Sequence, residues 1–223
     1  MSIYNLLLFA HLLLFVYWLG SDIGVFYGIR FVVDPKLSIE TRKTVMALVH
    51  WIDALPRICL VMMVPVGVSL AALSGLLPVT GAGRGAAIAI AWIVGLAWLA
   101  IVLRIYKGAK GMIVRIDYTI RITVMAGFLV GGVSSLLSYG PIVAEAGFLA
   151  VKCILFSGII ACGLMLRILG KPFGEALGQI LSGHSTPATE AALRLAMSRS
   201  KIVVIVLWLL VAAAGYIGLV RSF

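Results

Sequence analysis

Long apolar stretches with few or no charged residues are the feature that most constrains the fold of this chain. An α-helix rises about 1.5 Å per residue, so roughly 20 apolar residues cross about 30 Å of hydrocarbon. In lipid, every backbone polar group needs an internal hydrogen-bond partner, and a helix provides one within the segment itself. The sequence therefore predicts an all-α, polytopic integral membrane helical bundle.

We predict about six transmembrane helices in a single membrane domain that covers residues 1–223. The predicted spans lie near residues 3–24, 58–77, 85–106, 118–139, 146–167 and 200–220. Helical extensions are expected before two of them, over residues 41–57 and 187–199. Thr186 before Pro187, with Glu190 in the first turn, is typical of a helix start. The first span is retained rather than cleaved as a signal peptide, because residues 1–29 contain no Lys or Arg.

The basic residues predict the orientation of the bundle. They collect in the first, third and fifth connections between spans, and cytoplasmic loops of membrane proteins carry such an excess. The protein is therefore predicted to lie in a bacterial-type inner (plasma) membrane, with both termini on its outer side. This asymmetry and attraction to anionic lipid explain the net charge of +10, so we expect the lipid bilayer and no nucleic acid as a partner.

Two ionisable residues at membrane depth form the first candidate site. His11 in the first span and Lys152 in the fifth are each predicted to lie roughly 10 Å deep on the outer side, where they can face one pocket. A buried imidazole is a common axial ligand of haem iron. The alternatives are a His11 hydrogen-bonded to a neighbouring helix and a Lys152 that extends to the outer interface.

His50, Asp53 and Arg57 form a second cluster on one helical face, because they are spaced by three and then four residues. Counted along a straight helix, His50 lies about 40 Å from the outer end of the second span, against about 12 Å for His11 in the first. The two histidines are therefore not expected to share one iron.

Asp22 and Arg30 end the first span at the same predicted inner level as this cluster. Together with it they are expected to form an ion-pair network. Such a network is either a structural rim or a site for propionates, a quinone or a partner protein.

Three motifs occur in order along the chain. His11 is followed seven residues later by Trp18, and then by Phe26-Tyr27 and Arg30; Arg57 precedes Pro65 by eight residues; and the segment GFLAVKCILF contains Lys152. These motifs resemble those of the HemJ-type protoporphyrinogen oxidases and the related membrane domain of copper-resistance-D-type proteins. The chain departs from that pattern by two additional spans, roughly residues 84–139, and by a longer interval between Trp18 and Phe26.

The resemblance implies that His11 is a metal ligand to haem b, that Lys152 lines or completes the same site as a candidate catalytic residue, and that Arg57 contributes to the pocket or its rim. Trp18 and His50 complete the set of candidate cofactor-binding residues. The leading hypothesis is a haem b membrane redox protein that transfers electrons or oxidises a porphyrin- or quinone-type substrate coupled to the respiratory chain.

Two other functions remain open from the sequence. One is membrane transport of copper or another small solute; Cys59, Cys153 and Cys162 offer soft ligands, but they lie in apolar helix sequence without metal-type spacing, where thiols usually act as small hydrophobic groups. The other is a non-catalytic membrane anchor, either for a partner subunit at the inner face or within a homo-oligomer.

Overall fold

The computed structural model describes residues 2–142 and 146–220, which form a bundle of six long α-helices. The helices are α1 Ile3–Val32, α2 Ile39–Leu73, α3 Gly81–Tyr106, α4 Met112–Leu136, α5 Gly147–Leu181 and α6 Pro187–Val220. All six are long and apolar enough to cross a membrane. The prediction of an all-α bundle with six membrane-spanning helices is confirmed.

Consecutive helices run up and down and pack mainly against their neighbours in sequence. The α1–α2 and α5–α6 connections lie at the same end, because Val32, Ala176 and Leu193 share one core there. At the opposite end, Leu77 of the α2–α3 connection packs near Ile142 of the α4–α5 connection. We call the first end, predicted to be cytoplasmic, the inner end and the other the outer end.

Local capping explains where several helices begin. The Ser2 hydroxyl accepts a hydrogen bond from the Asn5 amide at 3.3 Å, and the Ser38 hydroxyl accepts one from the Thr41 amide at 3.1 Å. Such side chains satisfy amide groups that have no partner within the first turn. α6 begins at Pro187, as its sequence predicts.

Four helices extend beyond the predicted spans and pack together at the inner end. The extensions of α2 and α6 are those expected from the sequence, whereas those of α1 to Val32 and α5 to Leu181 are not. Their shared apolar core consists of Val32, Ala176, Leu177, Ile180 and Leu193. This inner core holds the inner halves of α1, α2, α5 and α6 around the space described below.

A buried ion pair between Arg42 and Glu190 stabilises the inner core. The Arg42 guanidinium donates to both carboxylate oxygens of Glu190, at 2.7 and 3.2 Å, and to the Val32 carbonyl at 2.7 Å. Ser185 donates to the same carboxylate at 2.9 Å. The hydrogen bonds from Arg42 hold the pKa of Glu190, which precedes the apolar span of α6, below its usual value. Arg42 of α2 thus links α2 to both α1 and α6.

The outward faces of the helices are apolar. Large hydrophobic side chains such as Ile93, Val130 and Leu209 are exposed on the helix surfaces. An apolar surface that continues around the bundle would be costly in water and is suited to lipid. The chain is therefore a multi-pass membrane protein whose outward faces contact the bilayer.

Candidate functional site

A cavity of about 410 Å³ opens in the inner half of the bundle. Its walls come from α1, α2, α5 and α6, and Arg121 reaches it from α4. Trp18, Leu60 and Leu207 form its outer end; all three also belong to the main apolar core. We call this space the inner cavity.

Charged side chains line the inner cavity among apolar ones. Asp53 and Arg57 are one helical turn apart on α2 and form an ion pair, with 2.8 Å between Arg57 Nε and Asp53 Oδ2. Asp22 accepts a hydrogen bond from the Trp208 indole at 2.7 Å, which connects α1 to α6. The expected inclusion of Arg30 in this network is wrong, because Arg30 is exposed and lies over the Tyr27 ring, 5.6 Å from its centroid.

A second network borders the inner cavity and centres on Asp117, which is completely buried. Its carboxylate accepts hydrogen bonds from the Trp98 indole at 2.8 Å and from Arg121 Nε at 3.0 Å, and lies 2.6 Å from Arg167 Nη1. A buried carboxylate is costly unless hydrogen bonds and opposite charges of this kind compensate for the water it has lost. One carboxylate thus serves two guanidinium groups, both of which line the cavity.

A smaller space of about 140 Å³ adjoins the inner cavity. Four residues line both spaces: His50, Asp53, Arg57 and Arg167. The His50 ring stacks on Tyr106 with 4.3 Å between ring centroids, and the Tyr106 hydroxyl donates to the His50 carbonyl at 2.6 Å. These contacts fix the orientation of His50 at the cavity edge.

His11 lies in the outer half, seven residues or about 10 Å along α1 from Trp18. Its Nδ1 atom is buried and has no hydrogen-bond partner among the residues that the structure describes. The α2 residue that faces it is Gly67, where an added Cβ atom would lie 3.7 Å from His11 Cε1. Buried polar atoms normally have a partner, and a neutral imidazole nitrogen without one is chemically able to bind a metal ion.

Lys152 belongs to the same outer region. It is close enough to His11 for an electrostatic interaction, and its ammonium group lies against Gly218 of α6, where an added Cβ would be 2.6 Å from Nζ. Lys152 is partly buried. The structure thus brings together the two intramembrane residues that the sequence suggested could face one pocket.

The predicted site residues therefore fall into two groups. Trp18, His50 and Arg57 line the inner cavity, whereas His11 and Lys152 lie together nearer the outer end. The prediction that the two histidines occupy different levels agrees with this arrangement. Trp18 closes the cavity on the side toward His11 and packs edge-to-face on Phe156, with ring centroids 6.2 Å apart.

The Asp117 network is not among the sites predicted from the sequence. Its cations Arg121 and Arg167 lie within α4 and α5, where Arg121 is buried and Arg167 is partly buried. The spacing of Asp117 and Arg121, four residues apart at a helix start, was the available signal. No sequence pattern indicated that Arg167 and Trp98 would join them from two other helices.

The sulfur ligands considered for copper are distributed through the bundle. Cys59 is buried in the main core, and an added Cβ at Gly132 would lie 3.2 Å from the Cys153 Cβ atom, so Cys153 packs against α4. Over residues 2–142 and 146–220, no group of three or more His, Cys, Asp or Glu side chains is arranged to hold a metal ion.

Comparison of the chain with family models, with curated proteins and with solved structures gives no match in any of the three.

Proposed function

We propose that this chain is a haem b-binding integral membrane redox protein in which His11 is an axial ligand. The observation that carries the proposal is the buried Nδ1 atom of His11, which has no partner within the described residues. Leaving a buried polar atom unsatisfied costs about 1–3 kcal/mol, so a bound group that coordinates the imidazole removes a real penalty. The sequence resemblance points to the same residue.

The surroundings of His11 suit this role. α1 supplies apolar neighbours such as Leu14 and Phe15, and α2 presents Gly67, which has no side chain, to the imidazole. Haem b, when bound, supplies one-electron chemistry, with its potential set by the axial ligand and the polarity of the pocket. The apolar outer half would exclude water from the site, and His11 would fix the position of the iron.

Lys152 is assigned to proton transfer at the same site. Its ammonium group lies within electrostatic range of His11, and a lysine in apolar surroundings can release and take up a proton more readily than one in water. The proposed activity is electron transfer, or oxidation of a porphyrin- or quinone-type molecule, coupled to a bacterial respiratory chain in the inner membrane.

The test is a reduced-minus-oxidised absorption spectrum with a pyridine haemochrome assay on protein purified from haem-supplied cells. We expect a b-type spectrum that His11→Ala abolishes. His184→Ala is the matched control, because His184 is exposed in the α5–α6 connection, and it should leave the spectrum unchanged. Wild-type protein without haem would overturn the proposal.

Gly67 allows a second test that leaves His11 in place. Gly67→Ala adds a Cβ at ordinary contact distance from the imidazole and should retain the b-type spectrum. Gly67→Leu should crowd the imidazole, displace it from its position and reduce haem content several-fold. Equal haem content in both variants, with the protein folded, would place any haem elsewhere.

A further inference from the structure

The inner cavity carries more positive than negative charge. Six charged side chains line it, namely Asp22, Asp53, Arg57, Arg121, Arg167 and Lys201, and the buried Asp117 lies directly behind two of them. Three carboxylates thus meet four cationic groups, an excess of one positive charge. His50 also lines the cavity, and its ring is already stacked on Tyr106.

The excess is concentrated on one side of the cavity. Arg57 is matched by Asp53, whereas Arg121 and Arg167 share the single carboxylate of Asp117. Arg121 is also within electrostatic range of Arg57, so the three guanidinium groups are neighbours. Clustered cations in a partly buried space repel each other, and an anion placed between them relieves that repulsion.

The rest of the cavity surface is mostly apolar. Phe26 and Ile29 of α1, Leu60 of α2 and Val204 of α6 line it, together with Trp18 at the outer end. A free inorganic anion would leave this surface without a partner. A molecule with an acidic head and an apolar body would match both parts.

We propose that the inner cavity binds an acidic amphiphile. Its phosphate or carboxylate head lies beside Arg57, Arg121 and Arg167, with Lys201 as a further cation, and its apolar body lies against Phe26 and Trp18. The inference does not depend on haem, because His11 is not among the lining residues. The two proposals can therefore fail separately.

Two glycines make the cavity testable without changing its charge. Gly163 and Gly170 of α5 line it, and a Cβ atom added at either meets nothing within 4 Å. Gly163→Leu should therefore fill cavity volume without disturbing helix packing. Gly174 is equally open but is not among the lining residues, which makes Gly174→Leu the matched control.

The experiment measures the shift in unfolding temperature of detergent-purified full-length protein on adding phosphatidylglycerol, oleate, phosphatidylcholine or inorganic phosphate. The measurement is made at high ionic strength, which weakens the attraction of acidic lipid to the exposed basic loops. We expect a shift of several degrees with at least one acidic amphiphile and a negligible shift with phosphatidylcholine or phosphate. Phosphatidylglycerol alone would indicate a membrane phospholipid, and oleate alone a fatty-acid-like carboxylate; a response to both would indicate the acidic head in general.

Substitutions in and outside the cavity lining test whether the shift in unfolding temperature arises from binding in the inner cavity. Gly163→Leu should lose most of it, and Gly174→Leu should keep it. Lys201→Gln should show a smaller temperature shift than Arg104→Gln, which removes an exposed positive charge outside the cavity lining. If Gly163→Leu does not fold, the comparison of these two variants tests the proposal. Equal shifts with phosphatidylcholine and phosphatidylglycerol, no shift with any acidic amphiphile, or full shifts in both Gly163→Leu and Lys201→Gln, would overturn the proposal.

Discussion

The outer and inner halves of the bundle handle polar groups in opposite ways. In the outer half, helices approach closely at glycines, and His11 is enclosed with a nitrogen that has no partner in the described protein. In the inner half, α1, α2, α5 and α6 surround a cavity whose charged groups are paired in networks. The His11 nitrogen has no partner within the described residues, whereas most of the charged groups of the inner half pair with each other.

This difference assigns separate roles to the two regions. A single buried imidazole in apolar surroundings suits a coordinated prosthetic group. A roomy cavity with excess positive charge suits an exchangeable acidic molecule. The two proposals therefore place a prosthetic group in the outer half and an exchangeable acidic molecule in the inner half.

The largest expected effect of a single change lies in the Asp117 network. Asp117→Asn leaves the Arg121 and Arg167 guanidinium groups without a buried counter-charge, which should destabilise the protein by about 3–5 kcal/mol. Thermal unfolding in detergent, followed by circular dichroism, measures it. Glu40→Gln is the control, since its pair with Lys43 is exposed and should contribute less than about 1 kcal/mol. Equal stability of the two variants would show that the network does not hold the inner half together.

The next effect concerns glycines in the two halves. At Gly132 an added Cβ would lie 2.7 Å from the Ala150 carbonyl oxygen, so Gly132→Ala should destabilise the outer half by about 1–3 kcal/mol. At Gly163 the added Cβ meets no atom within 4 Å, and Gly163→Ala should change stability by less than about 0.5 kcal/mol. The free energies of unfolding of Gly132→Ala and Gly163→Ala, measured in the same detergent and buffer, test this difference. A reversed order would mean that α4 and α5 do not pack closely at Gly132.

A smaller, pH-dependent effect arises at the inner end. Because the folded-state pKa of Glu190 is lowered, its pair with Arg42 contributes fully above the usual carboxyl value of 4.5 and is lost as the pH falls through the lower folded-state value. Wild-type protein should therefore lose stability on acidification, by roughly 1.5–3 kcal/mol for a charge-assisted hydrogen-bonded group. Glu190→Gln should be less stable near neutral pH and should flatten the profile.

Unfolding temperatures measured from pH 7 to pH 3 compare these variants. Glu175→Gln removes an exposed carboxylate from the inner extension of α5 and should follow the wild-type profile. A Glu190→Gln profile as steep as that of the wild type would show that other groups cause the acid sensitivity.

The sequence predicts the helices better than it predicts the site. Apolar length alone identifies six spans, because the requirement for internal backbone hydrogen bonds leaves few alternatives in lipid. The Asp53–Arg57 pair was foreseeable, since both residues lie on one face of one helix. The Asp22–Trp208 contact joins opposite ends of the chain, and no local pattern reveals such a pair.

The inner extension of α5 was missed for a related reason. Its residues include Lys171, Pro172 and several glycines, which favour a connection when considered locally. Packing of Ala176, Leu177 and Ile180 against Val32 and Leu193 overrides that preference. The haem role of His11 and the substrate remain predictions, because residue geometry alone restricts the chemistry without identifying a bound molecule.

The assignment of separate roles to the two halves is tested most directly by haem content per chain in His11→Ala and His50→Ala, purified side by side with the wild type. His11→Ala should lose haem, and His50→Ala, altered only at the edge of the inner cavity, should keep about the wild-type amount. Retention in His11→Ala with loss in His50→Ala would move the haem to the inner cavity and contradict the assignment of separate roles.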